Sequence, residues 1–244
     1  MDDALRTPVV VEFPLRGERW MAVTTPAHRV PSHGTDMLGQ RYAYDFIKVD
    51  ARGGVHFTAG SSARQLIAGS RTRDAYAWGA PVHAPFDGEV VRALDGVPER
   101  EWIHPAREAA RMVRNAATFT PERLPEILGN HVILRATGGI GGGAAGARAP
   151  EREVFGAFVH LAPGSVAVAE GQRVASGDVL GRVGHTGNST SPHLHFQLMD
   201  ALDPMTARGI PCAFGAYEVE RDGAWVPVRD GIPGRRERIR SVVE

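Results

Sequence analysis

Two histidines separated by one residue, His193 and His195, begin a segment in which apolar and polar residues alternate. The apolar positions are Leu194, Phe196 and Leu198. Alternation with a period of two is typical of a β-strand, in which residues two apart project from the same face. The pattern predicts a strand that packs its leucines and phenylalanine on a core and projects both imidazoles from the other face. Two imidazoles at this spacing can share one metal ion, or one can bind it while the other contacts a substrate.

A second strand is predicted over 41–49, where Asp45 lies among apolar neighbours. Because an unpaired carboxylate is expensive to bury, we expect Asp45 to pair with a cation or to bind a metal ion. One carboxylate and two imidazoles would supply the three protein ligands of a catalytic zinc site, which keeps a fourth position for water. Nitrogen and oxygen ligands without cysteine fit zinc, although other divalent ions stay open at this point.

The other segments predict a mainly β fold with a helical insertion around 98–128. That insertion is rich in Ala, Arg and Glu and poor in β-branched residues, which favours one or two helices. Within the predicted strand 154–161, Phe158 and His160 are expected on one face. Further strands are predicted over 9–13, 20–23 and 131–136, and over 81–94 as two strands joined by a hairpin turn at Asp87-Gly88. The glycines of 166–183 predict tight turns between very short strands.

Composition limits the class of protein. The formal net charge is +0, which gives the chain no overall attraction to nucleic acid or to anionic membranes. Cys212 is the single cysteine, so no intrachain disulfide can form. No apolar run is long enough for a transmembrane segment, and the acidic N-terminus does not resemble a secretory signal. The sequence by itself therefore predicts either a cytoplasmic protein or one whose signal was removed or lies outside this numbering. Glycine-rich residues 138–150 predict a flexible connector, since the Lys-Ser/Thr of a phosphate-binding loop is missing.

The segments TGNSTSPHLHFQL (186–198) and FVHL (158–161) together resemble the lysostaphin-type, or LytM-type, zinc endopeptidases. Members of that family cleave peptide cross-links in bacterial cell walls. Segments 42–46, 80–91 and 171–184 add to the resemblance and occur in the family's order. The resemblance implies a mostly antiparallel β-sheet of the duplicated-hybrid-motif kind, which forms a narrow groove with zinc at its floor.

The resemblance also implies roles for single residues. Asp45 and His195 match zinc ligands of the family, and His160 and His193 match two catalytic histidines that do not bind the metal. Those two would accept the proton of a water molecule and stabilise an oxyanion, and the sequence leaves open which does which. Gln197 lies on the ligand face, where it is either an outer partner of the metal site or an ordinary polar residue of the strand.

One position departs from the family's pattern. The family usually places its first histidine ligand four residues before the aspartate, and here that residue is Arg41. We therefore assign the missing ligand to His33 in the preceding loop, with His28 as the second choice. No His-Glu-x-x-His motif occurs, so the glutamate base of helix-borne zinc sites is absent.

The resulting hypothesis is a zinc-dependent endopeptidase that acts on a peptide or peptidoglycan substrate and does not bind nucleic acid; its oligomeric state is open. We interpret 1–244 as one LytM-type domain, with a zinc-ligand loop within 1–50, a catalytic core over 130–200 and a C-terminal extension over 201–244. The resemblance suggests the cell envelope as its location. The alternative is a non-catalytic LytM-like module that binds or regulates cell-wall hydrolases. A biotinyl- or lipoyl-like carrier would need a lysine at its hairpin tip, and 171–184 contains none.

Overall fold

A computed structural model describes residues 7–52, 55, 57–59, 65, 67–138 and 153–242. The helices of this part are Pro105–Ala117 (α1) and Leu124–Leu128 (α2), with short 3-10 segments at Met37–Tyr42, Thr72–Asp74 and Pro121–Arg123. Its strands are Val9–Val11 (β1), Trp20–Thr24 (β2), Tyr44–Lys48 (β3), Ser70–Arg71 (β4), Pro81–His83 (β5), Gly88–Leu94 (β6), Trp102–Ile103 (β7), Asn130–Ala136 (β8), Phe155–Leu161 (β9), Arg173–Val174 (β10), Val179–Arg182 (β11), Leu194–Met199 (β12), Gly209–Ile210 (β13), Cys212–Arg221 (β14), Ala224–Gly231 (β15) and Arg238–Ser241 (β16). The prediction of a mainly β fold with helices within 98–128 is confirmed. The predicted connector 138–150 lies outside the described residues apart from Gly138.

A twelve-stranded sheet contains most of these strands, in the order β1-β14-β16-β2-β3-β12-β9-β8-β6-β10, with β13 beside β12 and β15 beside β14. Neighbouring strands are antiparallel except β1 and β14, which are parallel. Strand β12 lies between β3 and β9, and His195 is in register with Asp45 on one side and Val159 on the other. The sheet therefore makes direct neighbours of two residues that are 150 positions apart.

The two faces of the sheet have different roles. On one face, Leu194, Phe196 and Leu198 are buried in the main hydrophobic core, as their alternation predicted. Phe214 packs beside Phe196 there, with ring centroids 6.0 Å apart. The opposite face carries a smaller apolar cluster around Ala157 and borders the groove described below. Burial of the larger core thus fixes which side chains of β3 and β12 face the groove.

The hairpin predicted over 81–94 is wrong. Both strands form, but β5 pairs with β11 in a separate two-stranded sheet, whereas β6 pairs with β8 and β10. The Asp87-Gly88 turn is stabilised from outside: the Asp87 carboxylate accepts from the Ser176 amide at 2.8 Å, and its carbonyl accepts from the Thr137 amide at 3.1 Å. A dipeptide that is typical of hairpins therefore connects strands of two different sheets.

The placement of Phe158 and His160 on one face is also wrong. The register of β8 and β9 shifts between Asn130 and Val132, which is a β-bulge. His160 has a φ of 68°, in the left-handed region that non-glycine residues seldom occupy. A bulge redirects the side chains that follow it. As a result Phe158 is buried in the main core, whereas His160 faces the groove.

The C-terminal extension is part of the main sheet. Its strands β14 and β16 lie between β1 and β2 in the strand order, and β15 pairs with β14. Tyr217 and Phe214 of this segment are buried in the main core. Within the described residues, no helix combines the length and the hydrophobicity needed to cross a bilayer.

Candidate metal centre

Three side chains that the sequence analysis selected as metal ligands meet at one end of the groove. The carboxylate of Asp45 lies 2.9 Å from His33 through Oδ2 and Nε2, and 2.9 Å from His195 through Oδ1 and Nδ1. One ligand atom from each of the three residues lies within 4.8 Å of the others. Two of the residues sit on paired strands, β3 and β12, and the third comes from the loop before β3.

The loop holds His33 through its neighbour Ser32. The Ser32 amide donates to the carbonyl of Arg41 at 2.9 Å, which ties the loop to the start of β3. The Ser32 hydroxyl donates to the carbonyl of Gln40 at 3.2 Å, so its oxygen accepts the Nδ1 proton of His33 at 3.1 Å. With the proton on Nδ1, the Nε2 lone pair of His33 faces Asp45.

Neither Arg41, at the position of the family's usual histidine, nor His28, the second choice for the first ligand, lies beside Asp45. The guanidinium of Arg41 forms an ion pair with Asp36 at 2.5 Å and does not face Asp45. His28 is exposed, and its Nε2 accepts from Arg235 at 3.1 Å. The structure thus brings His33, and not His28, beside Asp45.

Gln197 determines the state of His195. Its side-chain nitrogen donates to the carbonyl of Leu38 at 2.7 Å, and only the NH2 group of an amide can donate to a carbonyl. The Gln197 Oε1 therefore accepts from Nε2–H of His195 at 2.9 Å. This leaves the Nδ1 lone pair of His195 directed at Asp45. Hydrogen bonding of the far ring nitrogen to a fixed acceptor is the usual way in which a metal-binding histidine is oriented.

These three residues fit a divalent cation by their chemistry. Burial alone would raise the pKa of the Asp45 carboxyl, but the imidazoles of His33, His193 and His195 hold that pKa well below its usual range. The hydrogen bonds to Ser32 and Gln197 place a proton on the far nitrogen of each ring, so Nε2 of His33 and Nδ1 of His195, which lie 2.9 Å from the Asp45 carboxylate, are the nitrogens available to a cation. A proton or a metal cation shared between these atoms stabilises the arrangement. Two imidazole nitrogens and one carboxylate oxygen suit zinc and leave a coordination position open.

His160 and His193 lie beside this centre, with ring centroids 5.0 Å apart. Each donates its Nδ1 proton to a backbone carbonyl, His160 to Thr186 at 2.9 Å and His193 to Ser191 at 2.7 Å. The other nitrogen of His193, Nε2, lies 3.4 Å from Oδ1 of Asp45. Burial opposes the charged form of this ring, but the Asp45 carboxylate raises the pKa of His193 above its usual value. Burial, followed by the nearby His193 and His195, lowers the pKa of His160 well below its usual value, so that this imidazole is neutral.

The five residues open into one cavity of about 480 Å³. The sheet forms its floor through Ala157 and Val159, while Met112, Phe119 and Leu128 of the helical insertion form one wall. The insertion, for which the sequence suggested no role, is thus a structural part of the groove.

Sequence reasoning missed Arg100, a residue of the insertion that contacts the loop before the histidine pair. Its guanidinium donates to the carbonyls of Gly187 at 3.0 Å and Ser189 at 2.8 Å, and to Nε2 of His185 at 3.0 Å. Burial and the charge of Arg100 lower the pKa of His185 to about 2, which keeps this ring neutral. No periodic pattern marks such a contact, because its partners lie 85 to 89 residues away.

Residues 126–207 match the sequence model of peptidase family M23, a segment that contains His160, His193 and His195. The resemblance to lysostaphin-type peptidases is thereby confirmed for roughly a third of the chain. No curated protein matches the chain at a significant level.

Solved structures similar to the chain include two peptidases. The catalytic domain of lysostaphin from Staphylococcus simulans is 22% identical, with 56% of this chain and 76% of that chain covered and a TM-score of 0.32. A zinc-containing peptidase from Vibrio cholerae is 17% identical, with 83% and 38% covered and a TM-score of 0.35. The chain therefore spans well under half of the Vibrio cholerae protein. Likenesses at this level do not establish a shared activity.

Proposed function

We propose that the chain is a zinc-dependent endopeptidase that hydrolyses peptide bonds in peptidoglycan cross-links. The observation that carries the proposal is the convergence of His33, Asp45 and His195, of which one possible ligand atom each lies within 4.8 Å of the others. The family match at 126–207 supports peptide hydrolysis as the reaction. The same match favours the cell envelope as the place where the protein acts.

In this proposal His33, Asp45 and His195 hold the zinc ion, and Ser32 and Gln197 orient the two imidazoles. The chemistry that zinc supplies when bound is Lewis acidity toward a water molecule and toward the scissile carbonyl. The groove beside the centre provides space for an extended peptide between the sheet and the helical insertion.

His160 and His193 serve proton transfer in the proposal. Because each holds one proton on Nδ1, Nε2 is the nitrogen through which each ring can accept a proton from the attacking water. A histidine protonated in this way can then donate from Nε2, either to the developing oxyanion or to the leaving amine. The backbone carbonyls of Thr186 and Ser191 keep the rings oriented throughout.

Digestion of purified sacculi by the full chain tests this function. We expect stoichiometric zinc in the purified protein and, on digestion, fragments that carry new amino and carboxyl termini within the peptide cross-links. Protein treated with a chelator is the control, and added zinc should restore its activity. A zinc-loaded protein that releases no peptide would instead favour the non-catalytic binding module, and a parent chain that binds no zinc would exclude the metalloenzyme.

Gln197→Ala is expected to weaken zinc binding by about 10- to 100-fold, the usual cost of losing an outer partner of a metal ligand. The physical reason is that His195 loses the acceptor that keeps its proton on Nε2. Competition with a chromophoric chelator measures the zinc Kd. Gln172→Ala is a matched control, because Gln172 is exposed and its side chain accepts from the Ala169 amide in a surface turn. Equal zinc affinity of the two variants would refute this role of Gln197.

A further inference from the structure

We propose that the helical insertion fixes the hydrogen-bonded state of His193, one of the two non-ligand histidines, with Arg100 as its positioning residue. The insertion acts through the loop 184–191, whose carbonyls receive the Nδ1 protons of His160 and His193. The effect on turnover rests on the proposed function, whereas the effect on the histidine tautomers can be tested without it.

Arg100 forms the centre of the contact. Two of its nitrogens donate to the carbonyls of Gly187 and Ser189 and to the imidazole of His185. A guanidinium can form several directed hydrogen bonds at once because it is planar and carries five donors. Since arginine only donates, Nε2 of His185 is an acceptor and its proton is on Nδ1. The state of this first ring is therefore set by Arg100.

The hydrogen bonds continue from His185 to His193 through Ser189. Nδ1–H of His185 donates to the hydroxyl of Ser189 at 2.9 Å, and that hydroxyl donates to the carbonyl of Ser191 at 2.7 Å. The same Ser189 oxygen lies 3.1 Å from Nδ1 of His193, whose proton is shared between this oxygen and the Ser191 carbonyl. Both acceptors of the His193 proton thus belong to a loop that Arg100 holds in place.

Further parts of the insertion bind the same loop. The Glu99 carboxylate accepts from the amide of His185 at 2.7 Å. The side chain of Asn115, in α1, donates to the side-chain oxygen of Asn188 at 2.8 Å, and the Ile127 carbonyl accepts from the Asn188 amide at 2.8 Å. Contacts come from three separate stretches of the insertion, so the loop is held along most of its length.

Arg100 is itself anchored by a buried carboxylate. Glu108 of α1 has a side chain only 4% exposed and lies 3.3 Å from Arg100. Glu108 also forms an ion pair with Arg111. Removal of the Arg100 side chain therefore leaves this carboxylate paired, which avoids the large cost of an isolated buried charge. An Arg100→Ala protein is expected to fold.

The structural test reads the histidine tautomers of the full chain by long-range 15N–1H NMR at a pH where the rings are neutral. In the parent, His185 and His193 are expected to show protonated Nδ1 and unprotonated Nε2. In Arg100→Ala, both rings should lose this single pattern and shift toward the Nε2–H form. Arg123→Ala is the matched control, because the contacts of Arg123 with Thr118 and Glu126 stay within the insertion. An unchanged His193 pattern in Arg100→Ala would overturn the proposal.

The kinetic test compares kcat, KM and the zinc Kd of the same proteins on a defined cross-linked peptide. Misplacement of a proton-transfer group lowers kcat, so we expect about a 10- to 100-fold loss in Arg100→Ala with KM and zinc Kd unchanged. If Arg100→Ala does not fold, Arg100→Lys replaces it in the test. Lysine keeps the charge beside Glu108 but lacks the second nitrogen with which the guanidinium reaches both carbonyls, so kcat should again fall with KM and zinc Kd unchanged. A loss through zinc Kd, or equal loss in Arg123→Ala, counts against the inference. An inactive parent would refute the proposed function, and the NMR tautomer result would then decide the inference about Arg100.

Discussion

His195→Ala is expected to abolish stoichiometric zinc binding and, with it, peptide hydrolysis. The substitution removes one of the three proposed ligand atoms and leaves the carboxylate of Asp45 with His33 and the more distant His193 as its partners. Loss of an outer partner already costs about 10- to 100-fold in affinity, and loss of a ligand should exceed this range. Metal analysis of purified protein, together with chelator competition for the zinc Kd, measures the effect.

Two further histidine variants make the result specific. His33→Ala should resemble His195→Ala, because its Nε2 lies 2.9 Å from the same carboxylate. His28→Ala should bind zinc like the parent, because His28 is exposed and its ring contacts Arg235. If His28→Ala loses zinc and His33→Ala keeps it, the ligand set proposed for this centre is wrong. Zinc at full occupancy in His195→Ala would have the same consequence.

Much of the centre could be predicted because strand alternation reports directly on which face a side chain occupies. In β12 the alternation places His195 opposite the core leucines, and in β3 a lone carboxylate among apolar residues marks Asp45. Register then follows, since a slip by one residue would turn each core side chain to the groove. His33 was proposed as the remaining ligand because Arg41 occupies the position of the family's usual histidine, and the structure places His33 beside Asp45.

Other features could not be predicted because they depend on contacts between distant segments. The bulge that turns His160 toward the groove involves a shift between β8 and β9, and the sequence of β9 still reads as regular alternation. The guanidinium of Arg100 contacts three residues of the loop 184–191. Nothing in the sequence around Arg100 distinguishes it from the other arginines of the insertion. Side chains that act through a partner's backbone leave no pattern in their own segment.

His193→Ala is expected to lower kcat by about 10²- to 10⁴-fold while stoichiometric zinc is retained, and His160→Ala should act in the same direction. Both rings line the cavity and donate Nδ1–H to a backbone carbonyl, and neither supplies an atom to the group formed by His33, Asp45 and His195. The loss should therefore appear in turnover and not in metal content. Single-turnover hydrolysis of a cross-linked peptide by zinc-loaded protein separates the two quantities.

The control for these variants is His83→Ala. His83 also donates Nδ1–H to a backbone carbonyl, that of Gly177 at 2.8 Å, but it does not line the cavity. This variant loses the same kind of hydrogen bond as His193→Ala, so any general effect of removing such a bond appears in both. A kcat near the parent value in His83→Ala would assign the loss in His193→Ala to proton transfer at the centre. If zinc occupancy falls in step with kcat in His193→Ala, His193 acts as a ligand and the proposed division between ligand and catalytic histidines fails.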